Sequence, residues 1–244
     1  MRTILVIDDE RPTLMMFELY LGAYGHPVLT AASGEEGLAV FAAQKPPIVL
    51  TDIKMPGMDG LAVLAAIKEQ RPETEVIVIT GHGDTELALA ALALRATDFI
   101  DKPIRREVLE AALGRATARL DLREATDGRF GDISVEWEGE VGVIAIRGSL
   151  SGETEPYLIR AVKEADEASK FLFAFSPDAS INGAGLDLLL QAAEDCREAG
   201  RPVAVCGLSE NFARILDRYG VTAKAPRFAD CRQALDYLAS RETG

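Results

Sequence analysis

The sequence predicts two α/β domains in tandem: a five-stranded, parallel, doubly wound sheet, then a smaller mixed-sheet domain. Three observations predict this. The chain has 244 residues, and at roughly 150 residues per domain that length suits two domains better than one. Before residue 120, five short β-rich apolar runs alternate with five longer stretches of helical period, the pattern of a parallel sheet covered on both faces. From Ile133 onward the pattern changes, opening with a hairpin before strands and helices alternate again.

In the first half the expected strands are Ile4–Ile7, Pro27–Thr30, Ile48–Thr51, Val76–Thr80 and Asp98–Ile100. The helices between and after them are Pro12–Ala23, Gly34–Ala43, Gly60–Gln70, Asp84–Leu94 and Arg105–Leu120. Pro12 suits a first helical turn, where a missing N–H costs nothing. Apolar residues recur too often along Leu87–Leu94 for one stripe, which predicts some exposed face there, for dimerisation or for the second domain. Ala111–Asp127 loses apolar strength, gathers Arg115, Arg119, Arg123 and Glu124, and ends in the turn dipeptide Asp127-Gly128. It reads as the linker, into which the fifth helix can run. The expected division is 1–122, a linker at 123–130, and 131–244.

In the second half, Ile133–Trp137 and Val141–Arg147 are joined by Glu138-Gly139-Glu140 and predict a hairpin. There follow helix Glu153–Glu167, strand Phe171–Phe175, helix Ala184–Ala199, strand Pro202–Cys206, and helices Glu210–Tyr219 and Asp230–Ser240. Trp137, the single tryptophan, reads as core or hairpin packing.

Composition excludes several function classes. The net charge is −13, split at Glu124 into −6 and −7, so neither half has the basic footprint of a nucleic-acid-binding module. An anionic membrane surface is an equally poor partner, and no apolar stretch approaches the roughly 18 residues that span a bilayer. Ile4–Ile7 is too short for the apolar core of a signal peptide, so a cytoplasmic protein is expected. Cys196, Cys206 and Cys231 are odd in number, with no CxxC pair, and read as three reduced core thiols rather than a disulfide framework or zinc site.

The excess acid includes a pattern with chemical content. In open parallel sheets, ligands collect beyond the carboxyl ends of the strands. There the first strand delivers Asp8-Asp9, the third Asp52, the fourth Thr80, and the fifth Lys102 before Pro103. Three carboxylates at one edge repel, and a hard dication relieves them. Oxygen donors without His or Cys favour Mg²⁺ over zinc. A hydroxyl and an ammonium beside that ion suit the oxygens of a phosphoryl group. His82 follows the fourth strand and reads as a loop residue.

Val6-Ile7-Asp8-Asp9-Glu10, Thr51-Asp52-Ile53-Lys54-Met55-Pro56-Gly57-Met58-Asp59-Gly60, Thr80-Gly81-His82-Gly83-Asp84 and Asp98-Phe99-Ile100-Asp101-Lys102-Pro103 resemble the flavodoxin-like receiver domain of bacterial response regulators. The resemblance implies that Asp52 is the phosphoacceptor. It implies that Asp9, Asp52 and the Lys54 backbone carbonyl ligate Mg²⁺, with Asp8 helping. Lys102 would contact the phosphoryl oxygens, and Thr80 and Phe99 would occupy the switch positions, Phe99 filling space that Thr80 vacates. Haloacid-dehalogenase-type phosphatases place a second Asp two residues after the nucleophile as general acid. Lys54 stands there, so a persistent acyl phosphate is expected and an enzyme is not.

Val143–Leu150, Phe173-Ala174-Phe175-Ser176, Ile181–Leu186 and Gly200-Arg201-Pro202-Val203 resemble a STAS domain, the fold of anti-anti-sigma factors. The family's phosphorylatable Ser corresponds to Gly183 in Asn182-Gly183-Ala184-Gly185, which has no hydroxyl. Ser176 and Ser180 lie off the motif. Asn182 suits a helix N-cap, and the segment is either a strand–helix turn or a partner-facing loop. A nucleotide cradle is disfavoured because the P-loop Lys is missing. The resemblances imply a response regulator that takes phosphate from a sensor histidine kinase. Its STAS output would bind an anti-sigma factor, serine kinase or other partner-switching protein, with a homodimer as a further state. The alternatives are a STAS half that is a dimerisation or scaffold element, or that binds a small ligand or nucleotide, in an adaptor or phosphate sink.

Overall fold

A computed structural model describes residues 1–81, 84–125 and 133–241, and the chain divides into two compact units, Met1–Leu120 and Asp121–Gly244. In the first, β1 (Ile4–Ile7), β2 (Val28–Ala31), β3 (Ile48–Asp52), β4 (Glu75–Thr80) and β5 (Asp98–Asp101) form one sheet. Its order is β2-β1-β3-β4-β5, parallel throughout. Helices α1 (Arg11–Ala23), α2 (Gly34–Gln44), α3 (Gly60–Gln70), α4 (Thr85–Ala93) and α5 (Arg106–Ala125) connect and follow the strands.

The nearly all-apolar strands are buried on both faces, as their sequences require. Ile4, Val6, Ile48, Leu50, Ile77, Ile79 and Ile100 pack with Phe17 and Leu21 of α1 and Leu109 and Leu113 of α5. On the other face α2 lies so close that a side chain at Gly37 would collide with Ile7. Local chemistry starts these helices: Ser33 accepts the Glu36 N–H, Asp59 accepts the Ala62 N–H, and Pro12 sits in the first turn of α1. In α4, Ala88, Ala91 and Leu92 are buried while Leu94, just past its end, is exposed.

One boundary differs from expectation. Helix α5 runs for 20 residues to Ala125, past its expected end at Leu120, and Arg115 and Arg119 are not linker charges. They reach acids at the start of the sheet, described below. The remainder of the expected linker, with Asp127-Gly128, lies outside the described residues, as does His82.

In the second unit, β6 (Ile133–Glu138) and β7 (Val141–Ile146) form the expected antiparallel hairpin, turning at Gly139 with φ 62°. The elements after it are β8 (Ser149–Leu150), α6 (Glu155–Glu164), β9 (Lys170–Phe175), β10 (Ser180–Ile181), α7 (Gly183–Glu198), β11 (Val203–Cys206), α8 (Glu210–Tyr219), β12 (Arg227–Phe228) and α9 (Cys231–Ala239). The main sheet runs β12-β11-β9-β7-β6, mixed, and β8 pairs with β10 separately. The sequence reading omits β8, β10 and β12, which at two residues each carry no period. The expected helix from Glu153 is delayed: Ser151 and Thr154 form a reciprocal cap around a 3₁₀ turn, and α6 starts at Glu155.

Two expectations are corrected. Trp137 is 48% exposed and so is not core: it stands on the hairpin strand β6, which among the described residues is an edge of the sheet. The three cysteines are not all free: Cys206 and Cys231 are joined in a disulfide, and Cys196 is a buried thiol. Parallel pairing sets Phe228 of β12 beside Cys206 of β11, and α9 begins three residues later. The two Cα atoms are thereby 5.4 Å apart across 25 residues of chain, a proximity that Cys spacing cannot reveal.

Candidate metal centre

Parallel pairing brings the carboxyl ends of β1, β3, β4 and β5 to one edge, with Ile7 beside Thr51, Asp52 beside Ile79 and Thr80 beside Asp101. Asp8 and Asp9 leave β1 there and Asp52 ends β3. One carboxylate oxygen from each of these three lies within 4.8 Å of the others. Asp8 and Asp52 are buried and Asp9 is exposed. Lys102, which follows β5 and precedes Pro103 through a cis peptide, holds its ammonium 3.2 Å from Asp52 and 3.5 Å from Asp8.

The loop after Asp52 is fixed by its backbone. Ile53 donates its N–H to Ile79 and accepts that of Gly60. Gly60 opens α3 so close to the strand that a Cβ would stand 2.1 Å from the Asp52 carbonyl oxygen. Only glycine fits there.

Burial pushes the Asp8 and Asp52 carboxyls above the usual range. At Asp8 the Glu10 N–H and Lys102 oppose the rise. At Asp52 Lys102 opposes it, while Asp8 and Asp9 add to it. For Lys102, burial works against the charge, but Asp52 and Asp8 outweigh it and raise the pKa. Asp8 accepts the Glu10 N–H at 2.8 Å through one oxygen, while its other is buried 3.5 Å from the Lys102 ammonium. Three carboxylates face the Lys102 ammonium. This all-oxygen set fits a hard dication such as Mg²⁺.

Thr80 ends β4 with its hydroxyl buried and without a hydrogen-bond partner. Phe99 lies on β5 opposite Val78 and is 2% exposed, so its ring is already inside. The Lys54 side chain turns to Asp84, 2.6 Å away.

Sequence reasoning missed a second charged cluster, at the other edge of the same sheet. Asp98, opening β5, meets Arg115 of α5 at 2.5 Å, both buried. Glu75, opening β4, meets Arg119 at 2.9 Å and accepts the Thr97 hydroxyl. The available signal is the i,i+4 spacing of the two arginines set against acids at the starts of two apolar strands.

In the second unit, Asn182 caps α7 by accepting the Gly185 N–H at 2.9 Å. Gly183 is the first residue of that helix. Ser180 is on β10 and 1% exposed. A Cβ at Gly185 would come 2.1 Å from the Leu150 carbonyl oxygen.

An acidic cluster and a lysine at the carboxyl edge of a β2-β1-β3-β4-β5 sheet define a receiver-type signalling domain. The family model of the response regulator receiver domain matches residues 4–114, and that of the STAS domain matches residues 132–234. The chain carries a response regulator receiver domain in its first part and a STAS domain in its second. It is 34% identical over 137 residues to the transcriptional regulatory protein AfsQ1 of Streptomyces coelicolor, covering 56% of this chain and 60% of that protein. It is 37% identical over 159 residues to the DNA-binding transcriptional regulator NtrC of Salmonella typhimurium, covering 63% of this chain and 34% of that protein. The chain thus spans about a third to three fifths of these curated relatives. A solved receiver domain protein from Clostridium thermocellum is 38% identical, with a TM-score of 0.49, covering 50% of this chain and 98% of that one. Among the described residues no helix is long and apolar enough to cross a membrane.

Proposed function

We propose that this chain is a response regulator of phosphorelay signalling in which Asp52 accepts a phosphoryl group from a sensor histidine kinase. The observation that carries this reading is the cluster of Asp8, Asp9 and Asp52 within 4.8 Å, with Lys102 on Asp52. A carboxylate oxygen of Asp52 attacks phosphorus as the bond to the donor nitrogen breaks. Asp8, Asp9, Asp52 and the Lys54 carbonyl would hold Mg²⁺. Bound there, Mg²⁺ supplies charge neutralisation for the entering phosphoryl oxygens. Lys102 steadies those oxygens as a point charge, and the unpartnered Thr80 hydroxyl gains an acceptor in the new phosphate. Phe99 then repacks into the space that Thr80 leaves. With Lys54 where a general acid would stand, the acyl phosphate persists as a signal, and the chain turns over no other substrate.

The proposed division is a receiver at 1–122, a linker at 123–130 and a STAS domain at 131–244. The output travels through a protein, with no nucleic acid or membrane surface involved: an anti-sigma factor, serine kinase or other partner-switching protein in the cytoplasm. Gly183 has no hydroxyl and Ser180 is buried, which supports control of the STAS half by the receiver instead of by local serine phosphorylation. Acetyl phosphate with Mg²⁺ is expected to label the wild-type chain and not Asp52→Asn. Label persisting in Asp52→Asn refutes the acceptor assignment. Pull-downs with and without beryllofluoride are expected to differ in partners, and identical recovery would sink regulated output.

A further inference from the structure

Lys54 and Asp84 join the two segments that flank the reaction. Lys54 follows the phosphoacceptor by two residues. Asp84 follows Thr80 by four and stands at the N-cap of α4. Asp84 does not cap: its carboxylate accepts no N–H of the first turn. It is spent on the Lys54 ammonium at 2.6 Å, with the lysine side chain 63% and the aspartate side chain 30% exposed. Between them lies Gly81. A Cβ there would meet the Asp84 carboxylate at 2.9 Å and the Lys54 ammonium at 3.9 Å, so the pair rests directly on the residue that Thr80 must carry along. The Asp84 N–H donates to the Gly81 carbonyl at 3.2 Å, which couples that residue to the turn.

We propose that the Lys54–Asp84 ion pair is a latch on the resting receiver, opened by phosphorylation. The proposal rests on the reading of Asp52 as phosphoacceptor. Two effects open the latch together. Movement of the Thr80 hydroxyl toward phosphate shifts Gly81 beneath the pair, and the phosphoryl dianion competes with Asp84 for the Lys54 ammonium. The latch therefore opposes the switch, and breaking it makes the phosphorylated conformation easier to reach.

The test is the rate of labelling of the full chain by acetyl phosphate with Mg²⁺. Because the pair is partly exposed, Asp84→Asn and Lys54→Gln are each expected to accelerate labelling about two- to fivefold. The double variant should do no more than either single change, since both remove one interaction. Asp84→Glu retains the carboxylate and should label more slowly than Asp84→Asn. Raising salt should accelerate the wild type but not Asp84→Asn, a response that a merely structural role would not give. Additive single effects, unchanged rates, or equal salt dependence in both proteins would overturn the latch. Absence of label in wild type as well would instead remove the phosphoacceptor reading, and the latch with it.

Discussion

The two ends of the receiver sheet carry buried charge in opposite states of completion. At the amino-terminal edge, Asp98 and Glu75 meet Arg115 and Arg119, one guanidinium for each carboxylate. At the carboxyl edge, three carboxylates, Asp8, Asp9 and Asp52, share the one ammonium of Lys102 among the described residues. The difference is that one edge is neutralised by its own chain and the other keeps an excess of carboxylates. Paired buried charge fixes α5 on the sheet; the excess acid at the other edge supports the proposed metal site.

The largest effect should come from breaking the completed edge. Arg115→Ala leaves Asp98 buried without its partner and is expected to destabilise the first unit by about 3–5 kcal/mol. Urea unfolding monitored through receiver amides measures it. Asp98→Asn in the same background should recover part of the loss, because the stranded charge is gone. A loss below about 1 kcal/mol would mean that the two edges do not differ in kind.

At the incomplete edge the effects fall on chemistry first. Lys102→Ala removes the ammonium that faces the transferred group, and labelling by acetyl phosphate should slow by about 100-fold. Stability should move the other way on removing an acid. Burial raises the pKa of Asp8 and Asp52 above the unfolded value of 3.8. Their contribution to stability is therefore complete below that value and is lost as pH rises through the elevated folded values. In chelator, the melting temperature of the first unit should fall from acid pH toward neutral, and Mg²⁺ should reverse much of that fall. Asp52→Asn should flatten the profile and stabilise the metal-free chain at neutral pH by about 1 kcal/mol. A wild-type profile that ignores Mg²⁺ would remove the contrast between the edges.

The same contrast explains what the sequence discloses. Asp8, Asp9, Asp52, Thr80 and Lys102 each stand at the end of an apolar run, so a parallel sheet gathers them from order alone, and all five come to one edge. The five strands and five helices of the first unit are found within a few residues of their expected bounds, because apolar period and capping residues act locally. Asp98 with Arg115, and Glu75 with Arg119, stay hidden because each pair joins a strand start to a distant helix face. Lys54 with Asp84 is hidden likewise, as a loop-to-loop contact. In the second unit, β8, β10 and β12 take their strand geometry from partners and not from their own two residues.

Cysteine chemistry offers the smallest test, and extends the contrast to the second unit. Cys196 is a buried titratable group with no partner strong enough to hold its charge. Burial pushes its thiol from 9.0 up to about 11, with the Arg201 guanidinium opposing only in part. Its contribution to stability holds below pH 9 and drains away as pH rises toward 11, so a modest alkaline loss should disappear in Cys196→Ala, measured against that variant's own neutral-pH baseline. At neutral pH the protonated thiol is a poor nucleophile, and with Cys206 and Cys231 paired the folded, unreduced chain should take up almost no iodoacetamide. Reductant should open Cys231, which is less buried than Cys206, and denaturant should then expose all three. Rapid alkylation of Cys196 in the folded chain would show that burial alone does not govern its charge, and would weaken the same reasoning applied to Asp8 and Asp52.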